Sequence, residues 1–163
     1  MDKIVKHGVV IADPVENMAS LIAAMVRGLG HRMVLEVNSV RDLKAALASR
    51  SYSLIVVDDA ISPDTVDLVR TMRTDFDNPN RTTAVIMMST APDIARIAEA
   101  RDAGVSEFLK KPFSAADLQK RIAGLHITPR EFIEAPEYSG PDRRRRKLTA
   151  GIDNQRGIKE PEV

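Results

Sequence analysis

The chain contains no cysteine among its 163 residues, which excludes disulfides, thiolate metal sites and thiol catalysis. It lacks an opening basic stretch followed by an apolar segment of signal-peptide length, and no apolar run approaches the ~20 residues of a membrane span. It also lacks a charge excess. Lys and Arg total 24 against 23 Asp and Glu, a net charge of +1, so global electrostatics argue neither for nor against nucleic acid. What is present is 44% apolar residues, enough for a core, and 29% charged residues, suited to a soluble surface. These limits point to a cytoplasmic soluble protein with room for one domain of ordinary size and an appendage.

Within the apolar content, continuous runs are followed by polar residues at informative places. Val9-Val10-Ile11-Ala12 precedes Asp13, Leu54-Ile55-Val56-Val57 precedes Asp58 and Asp59, and Val85-Ile86-Met87-Met88 precedes Ser89. A fourth run leads to Lys111-Pro112. Parallel strands buried on both faces read as continuous apolar runs rather than alternating ones. In open parallel sheets, ligands bind outside the carboxyl ends of the strands. Two or three carboxylates, a hydroxyl and a lysine are thus expected to converge.

Between the runs the period becomes helical. Met18, Leu21, Ile22, Met25, Val26 and Leu29 recur at three- and four-residue steps until Gly30. Ser39 predicts an N-cap for a helix carrying Leu43 and Leu47, and Asp64 one for a helix carrying Val66, Val69 and Met72. Pro92 suits the first turn of a helix that runs to Gly104. Ser114 and Asp117 form a capping-box pattern before Leu118, Ile122 and Leu125. With residues 33–37 and 106–109 as the second and fifth strands, strand and helix alternate five times. This predicts an α/β fold, a doubly wound five-stranded parallel sheet, over roughly residues 5–126.

Two carboxylates a few ångströms apart repel by roughly 4 kcal/mol at an effective dielectric of 20. Mg²⁺ relieves such repulsion and prefers one or two carboxylates together with water and phosphate oxygens. A carboxylate that is also a nucleophile can form an acyl phosphate, whose charge a lysine and a hydroxyl then stabilise.

The pattern resembles the receiver domain of two-component response regulators over residues 8–125. Tyr52-Ser53-Leu54-Ile55-Val56-Val57-Asp58 resembles that family's third strand ending in the phosphoacceptor. Ala103-Gly104 and Phe108-Leu109-Lys110-Lys111-Pro112-Phe113 resemble its fifth strand and Lys-Pro-Phe signature. The resemblance implies a (βα)5 flavodoxin-like domain over residues 1–126. Asp58 would be the phosphoacceptor, and Asp13, Asp58 and the Ala60 carbonyl the Mg²⁺ ligands. Lys111 would contact the phosphoryl group, Ser89 (or neighbouring Thr90) would be the switch hydroxyl, and Phe108 the aromatic switch. It further implies a histidine kinase or phosphotransfer protein as donor and a downstream protein target. The role is that of a phosphoacceptor rather than an enzyme, with at most slow self-phosphorylation and self-dephosphorylation.

The sequence departs from that family in two respects that bear on the site. Asp13 stands between Ala12 and Pro14 where two adjacent acids are usual, which predicts weakened Mg²⁺ binding unless Glu16 substitutes. Pro63 lies five residues beyond Asp58 and four beyond Asp59, where the family spacing is four. The strand pattern therefore favours Asp58 as acceptor, and the proline spacing leaves Asp59 as the alternative. An α/β phosphatase, which would also use a strand-end Asp, lacks its general acid here because the second residue after Asp58 is Ala60.

After Leu125 the texture changes. Residues 127–163 hold four prolines, few apolar residues and the run Arg143-Arg144-Arg145-Arg146-Lys147. This predicts an extended or partly disordered tail, with Phe132, Ile133 and Tyr138 able to tack its first part onto the domain. Without a helix-turn-helix pattern or a second basic segment, DNA is not the expected partner. Tyr138 with Arg143, Arg144, Arg145 and Arg146 can stack on and hydrogen-bond guanine. The segment resembles arginine-rich tails of stand-alone alphaproteobacterial receivers that bind cyclic di-GMP. That ligand defines the alternative function: a phosphorylation-deficient adaptor.

Overall fold

In the computed structural model, residues 7–127 and 131–144 are described. The apolar runs form β1 (Val9–Ala12), β3 (Leu54–Asp58), β4 (Ala84–Ser89) and β5 (Glu107–Lys110), with β2 (Val34–Val37) on the edge. All five pair in parallel in the order β2-β1-β3-β4-β5. Alternate residues of each strand enter opposite layers. Val10, Ile55, Val57, Val85 and Met87 pack against Leu43, Leu47, Val69 and Met72. These belong to α2 (Val40–Ser49) and α3 (Thr65–Thr74), and α4 (Ile94–Ala103) adds Ala100 and Ala103 to the same layer. Val9, Ile11, Val56, Ile86 and Met88 pack on the other face against Ile22, Val26, Leu118 and Ile122. These lie on α1 (Glu16–Gly28) and α5 (Ala115–Ile127). The sheet is therefore doubly wound, as the continuous apolar runs predict. No helix among the described residues is long and apolar enough to cross a membrane.

The caps follow the sequence with two exceptions. Ser39 Oγ accepts from the Asp42 amide at 3.1 Å. Ser114 Oγ accepts from the Asp117 amide at 3.1 Å while Asp117 Oδ2 accepts from the Ser114 amide at 2.9 Å. Asp64 occupies the N-cap position of α3, but its side chain makes no cap bond. Its backbone is at φ −103°, ψ 23° rather than extended, so the side chain does not take the usual cap geometry. Pro92 precedes α4 rather than opening it, and Asp93 is the cap, accepting from the Arg96 amide at 2.6 Å.

The first part of the segment expected as an extended or partly disordered tail is ordered and docked on the domain, with Phe132 and Tyr138 in the seat. Phe132–Ala135 (β6) and Tyr138–Pro141 (β7) form an antiparallel hairpin. It docks on the ends of α3 and α4. Arg73 of α3 is fully buried beneath it, its Nε and Nη2 donating to the Gly104 carbonyl at 3.1 and 3.0 Å and Nη1 to the Arg81 carbonyl at 2.8 Å. Burial pulls the Arg73 pKa down to about 10. Arg81 lies over the rings of Phe76 and Phe132 and pairs with Glu134. Such contacts supply the apolar and cationic seat that the low hydrophobicity of the segment conceals. The segment beyond residue 144 lies outside the described residues, and with it Arg145 and Arg146.

Candidate functional site

The register of the central strands builds the site. Ala12 is paired with Val57, so the next residues, Asp13 and Asp58, emerge side by side at the C-terminal edge between β1 and β3. This is the point where the strand order reverses, the usual ligand crevice of such sheets. Both side chains are buried, Asp13 at 1% and Asp58 at 5% exposure. Asp13 Oδ1 is held by the Val15 amide at 2.8 Å, and Asp58 Oδ1 by the Ala60 amide at 2.7 Å. Their remaining oxygens share one cation. Lys111 Nζ lies 2.5 Å from Asp13 Oδ2 and 2.5 Å from Asp58 Oδ2.

Lys111 reaches this position because β5 ends beside β4. Ser89 pairs with Lys110, and the Lys111 amide donates to the Ser89 carbonyl at 2.8 Å. Burial lowers the pKa of the lysine, but the hydrogen bonds it donates to Asp13 and Asp58 outweigh it and the net shift is upward. The ammonium is thus charged throughout the neutral range. Two buried carboxyl groups therefore share this one cation.

The expected residues do not all meet. Asp13, Asp58 and Lys111 form the cluster, and Ala60 sits in the 3₁₀ turn Asp59–Ile61 that follows Asp58. Ser89 is half-buried at the adjoining end of β4. Thr90 beside it is exposed. Phe108 is half-buried two strand positions before Lys110, packed against the α2–α3–α4 layer. It lines a cavity of about 220 Å³ with Ile97, Arg101, Val105 and Arg143. Glu16 is exposed on the first turn of α1. Asp59 turns away from the cluster: Arg96 of α4 grips it in a bidentate pair, Nε to Oδ2 at 2.9 Å and Nη2 to Oδ1 at 2.6 Å. In the tail, Arg143 stacks on the Tyr138 ring at 4.2 Å and pairs with Asp102 at 2.8 Å, while Arg144 holds Asp142 at 3.2 Å.

Two features were not legible in the sequence. The Arg96–Asp59 pair joins residues 37 apart on elements whose proximity only the fold creates. The hairpin had a faint signal, two short segments around Pro136 and Glu137, overshadowed by the proline and arginine content.

Mg²⁺ fits the donor set that is present. Among the described residues no three His, Asp or Glu side chains gather as a cage, yet Mg²⁺ ordinarily takes only one or two carboxylates and fills its remaining positions with water and phosphate oxygens. Asp13 and Asp58 meet that minimum, and the ammonium between them shows that the pair already holds a cation. Ala12, buried at the end of β1, supplies no second acid there.

The family model for the response regulator receiver domain matches residues 9–123. The sensory/regulatory protein RpfC of Xanthomonas campestris pv. campestris is 27% identical over 123 residues, 75% of this chain, and the chain spans only 17% of its length. A response regulator from Thermotoga maritima superposes with a TM-score of 0.64 at 20% identity, over 75% of this chain and 99% of its own. The receiver domain of sensor histidine kinase PA1611 from Pseudomonas aeruginosa was solved with a magnesium ion coordinated in its active site cleft. It gives a TM-score of 0.61 at 23% identity, over 70% of this chain and 92% of its own. At these identities the two structures speak for the fold alone, whereas the family match covers most of the sequence. With its five-stranded order β2-β1-β3-β4-β5, this chain belongs to the response regulator receiver domain family.

Proposed function

We propose that Asp58 accepts a phosphoryl group from a phosphorylated histidine of a kinase or phosphotransfer protein, in the cytoplasm, and that the change is relayed to a protein target. The observation that carries this reading is the single ammonium of Lys111 held between Asp13 and Asp58 at the sheet's switch point. Asp58 Oδ2 attacks phosphorus, a P–O bond forms, the P–N bond of the donor breaks, and the freed imidazole takes up a proton. Lys111 exchanges its contact with the Asp58 oxygen for one with a phosphoryl oxygen, so the added charge meets a cation already in place. Ser89, at the end of β4, would supply a hydroxyl, and Phe108 lies in β5 in register with Met87. Asp13, Asp58 and the Ala60 carbonyl would hold Mg²⁺, which supplies charge neutralisation on the transferring group.

Asp59 is the poorer acceptor because Arg96 holds its carboxylate in a bidentate pair, whereas Lys111 is shared between Asp13 and Asp58. Incubation with a small phosphodonor and Mg²⁺, followed by intact mass and peptide mapping, tests the assignment. A single adduct at Asp58, retained in Asp59→Asn and absent in Asp58→Asn, is expected. An unmodified wild type, or an undiminished adduct in Asp58→Asn, rejects it.

A further inference from the structure

The two halves of α4 are fastened differently. Its buried residues are Ala100 and Ala103, both in the second half, and β7 of the hairpin packs against the same helix. The first half buries no apolar side chain. Ile94 is 87% exposed and Ile97 39% exposed. What holds this half to the domain is polar: the bidentate pair from Arg96 to Asp59, whose side chains are 27% and 16% exposed. Arg96 also reaches Glu99, but that contact lies within α4 and fastens it to nothing.

Asp59 is itself fixed to the acceptor turn. It opens the 3₁₀ turn capped by the Asp58 carboxylate, and its carbonyl accepts from the Thr65 hydroxyl at 2.9 Å. One peptide unit therefore separates the carboxylate bridged by Lys111 from the carboxylate that anchors α4. Charge-assisted bidentate pairs are directional as well as strong, so a shift of the turn is transmitted to the guanidinium. A phosphoryl group on Asp58 also places new negative charge next to Asp59, in competition for the same arginine.

We infer that Arg96 is a positioning residue: through Asp59 it ties the first half of α4 to the acceptor turn, so that the state of Asp58 sets the placement of that half. The inference rests on Asp58 being the acceptor. The helical bonds of α4 do not provide this link, and none of residues 94–99 is itself buried.

Hydrogen exchange of the amides of residues 94–99, measured on the full chain with and without phosphodonor and Mg²⁺, tests it. In wild type, donor treatment should change exchange in this stretch. In Arg96→Gln the untreated protein should exchange there about tenfold faster, as expected for the loss of a charged hydrogen-bonded pair. Donor treatment should then add no further change, although mass still records the Asp58 adduct. The charge-exchanged double variant Asp59→Arg/Arg96→Asp should restore slow exchange, which distinguishes a tie from a general loss of packing. An adduct accompanied by a wild-type exchange response in Arg96→Gln overturns the coupling alone. Absence of any adduct on wild type overturns it together with the acceptor assignment.

Discussion

Lys111 Nζ and Asp58 Oδ2 stand 2.5 Å apart in a pocket from which water is largely excluded, and the same ammonium is equally close to Asp13. Three buried charges here depend on one another. Removing the cation leaves two carboxylates facing each other without compensation, the situation in which breaking a buried ion pair costs about 3–5 kcal/mol. Lys111→Met should therefore lose about that much stability in urea denaturation with chelator present. Added Mg²⁺ should restore part of the loss, because a divalent ion replaces the missing charge. In wild type the same addition should have a smaller effect, since Mg²⁺ must displace an ammonium already in place. A Lys111→Met protein as stable as wild type, with no response to metal, would contradict this account.

The absence of a second acid after β1 makes a separate point. Ala12 is fully buried beside the edge where Asp13 emerges. Ala12→Asp adds a third carboxylate to the donor set and strengthens metal binding by charge count. Mg²⁺ affinity, followed by calorimetry, should rise by roughly tenfold, an increment of about 1.4 kcal/mol. Without metal the same variant should be less stable than wild type, because a third buried carboxyl group is added beside two that already share one ammonium. The two effects have opposite signs, and both are required. Equal affinities would mean that position 12 does not face the metal.

Much of this arrangement was legible in the sequence because buried parallel strands leave a strong trace. The runs ending at Ala12, Asp58 and Ser89 are continuous, so their ends, and hence Asp13, Asp58 and Ser89, could be located by inspection. The choice between Asp58 and Asp59 could not. Adjacent strand residues face opposite ways, but where the strand gives way to the 3₁₀ turn is set by tertiary contacts, and Arg96 settles where Asp59 points. The hairpin was obscured for a similar reason. Its seat is made of Arg73 and Arg81, residues whose charge disguises their packing role.

That seat is tight at one place. A Cβ on Gly140 would lie 2.7 Å from the Tyr138 hydroxyl and 2.9 Å from the Cα of Gly104. The second contact is with backbone, so it cannot be relieved by a side-chain rotation. Gly140→Ala should push β7 off the α4–β5 turn, at about 1–3 kcal/mol for an overpacked contact. Exchange of amides 132–141 should accelerate, and Arg73 should become accessible to solvent. The five-stranded sheet should keep its protection, because β7 packs chiefly on α3 and α4. Unchanged exchange in the hairpin would show that the turn can yield.

The start of α5 offers a pH-dependent test removed from the charged pocket. Asp117 accepts from the Ser114 amide and hydroxyl at 2.9 and 2.8 Å. These bonds, the backbone one foremost, hold its carboxyl below the usual value of 3.8. A carboxylate with a depressed folded pKa contributes stability that is present above its unfolded value and lost as pH falls through the folded one. The difference in unfolding free energy between wild type and Asp117→Asn should therefore be constant from neutral pH down to about 5, and shrink below about 4. Other carboxylates titrate in the same range, but they are common to both proteins and cancel in the difference so long as they do not contact residue 117. Parallel urea denaturations at pH 7, 5, 4 and 3 suffice. A difference that grows toward low pH would reverse the sign and show that the Ser114 bonds favour the protonated acid.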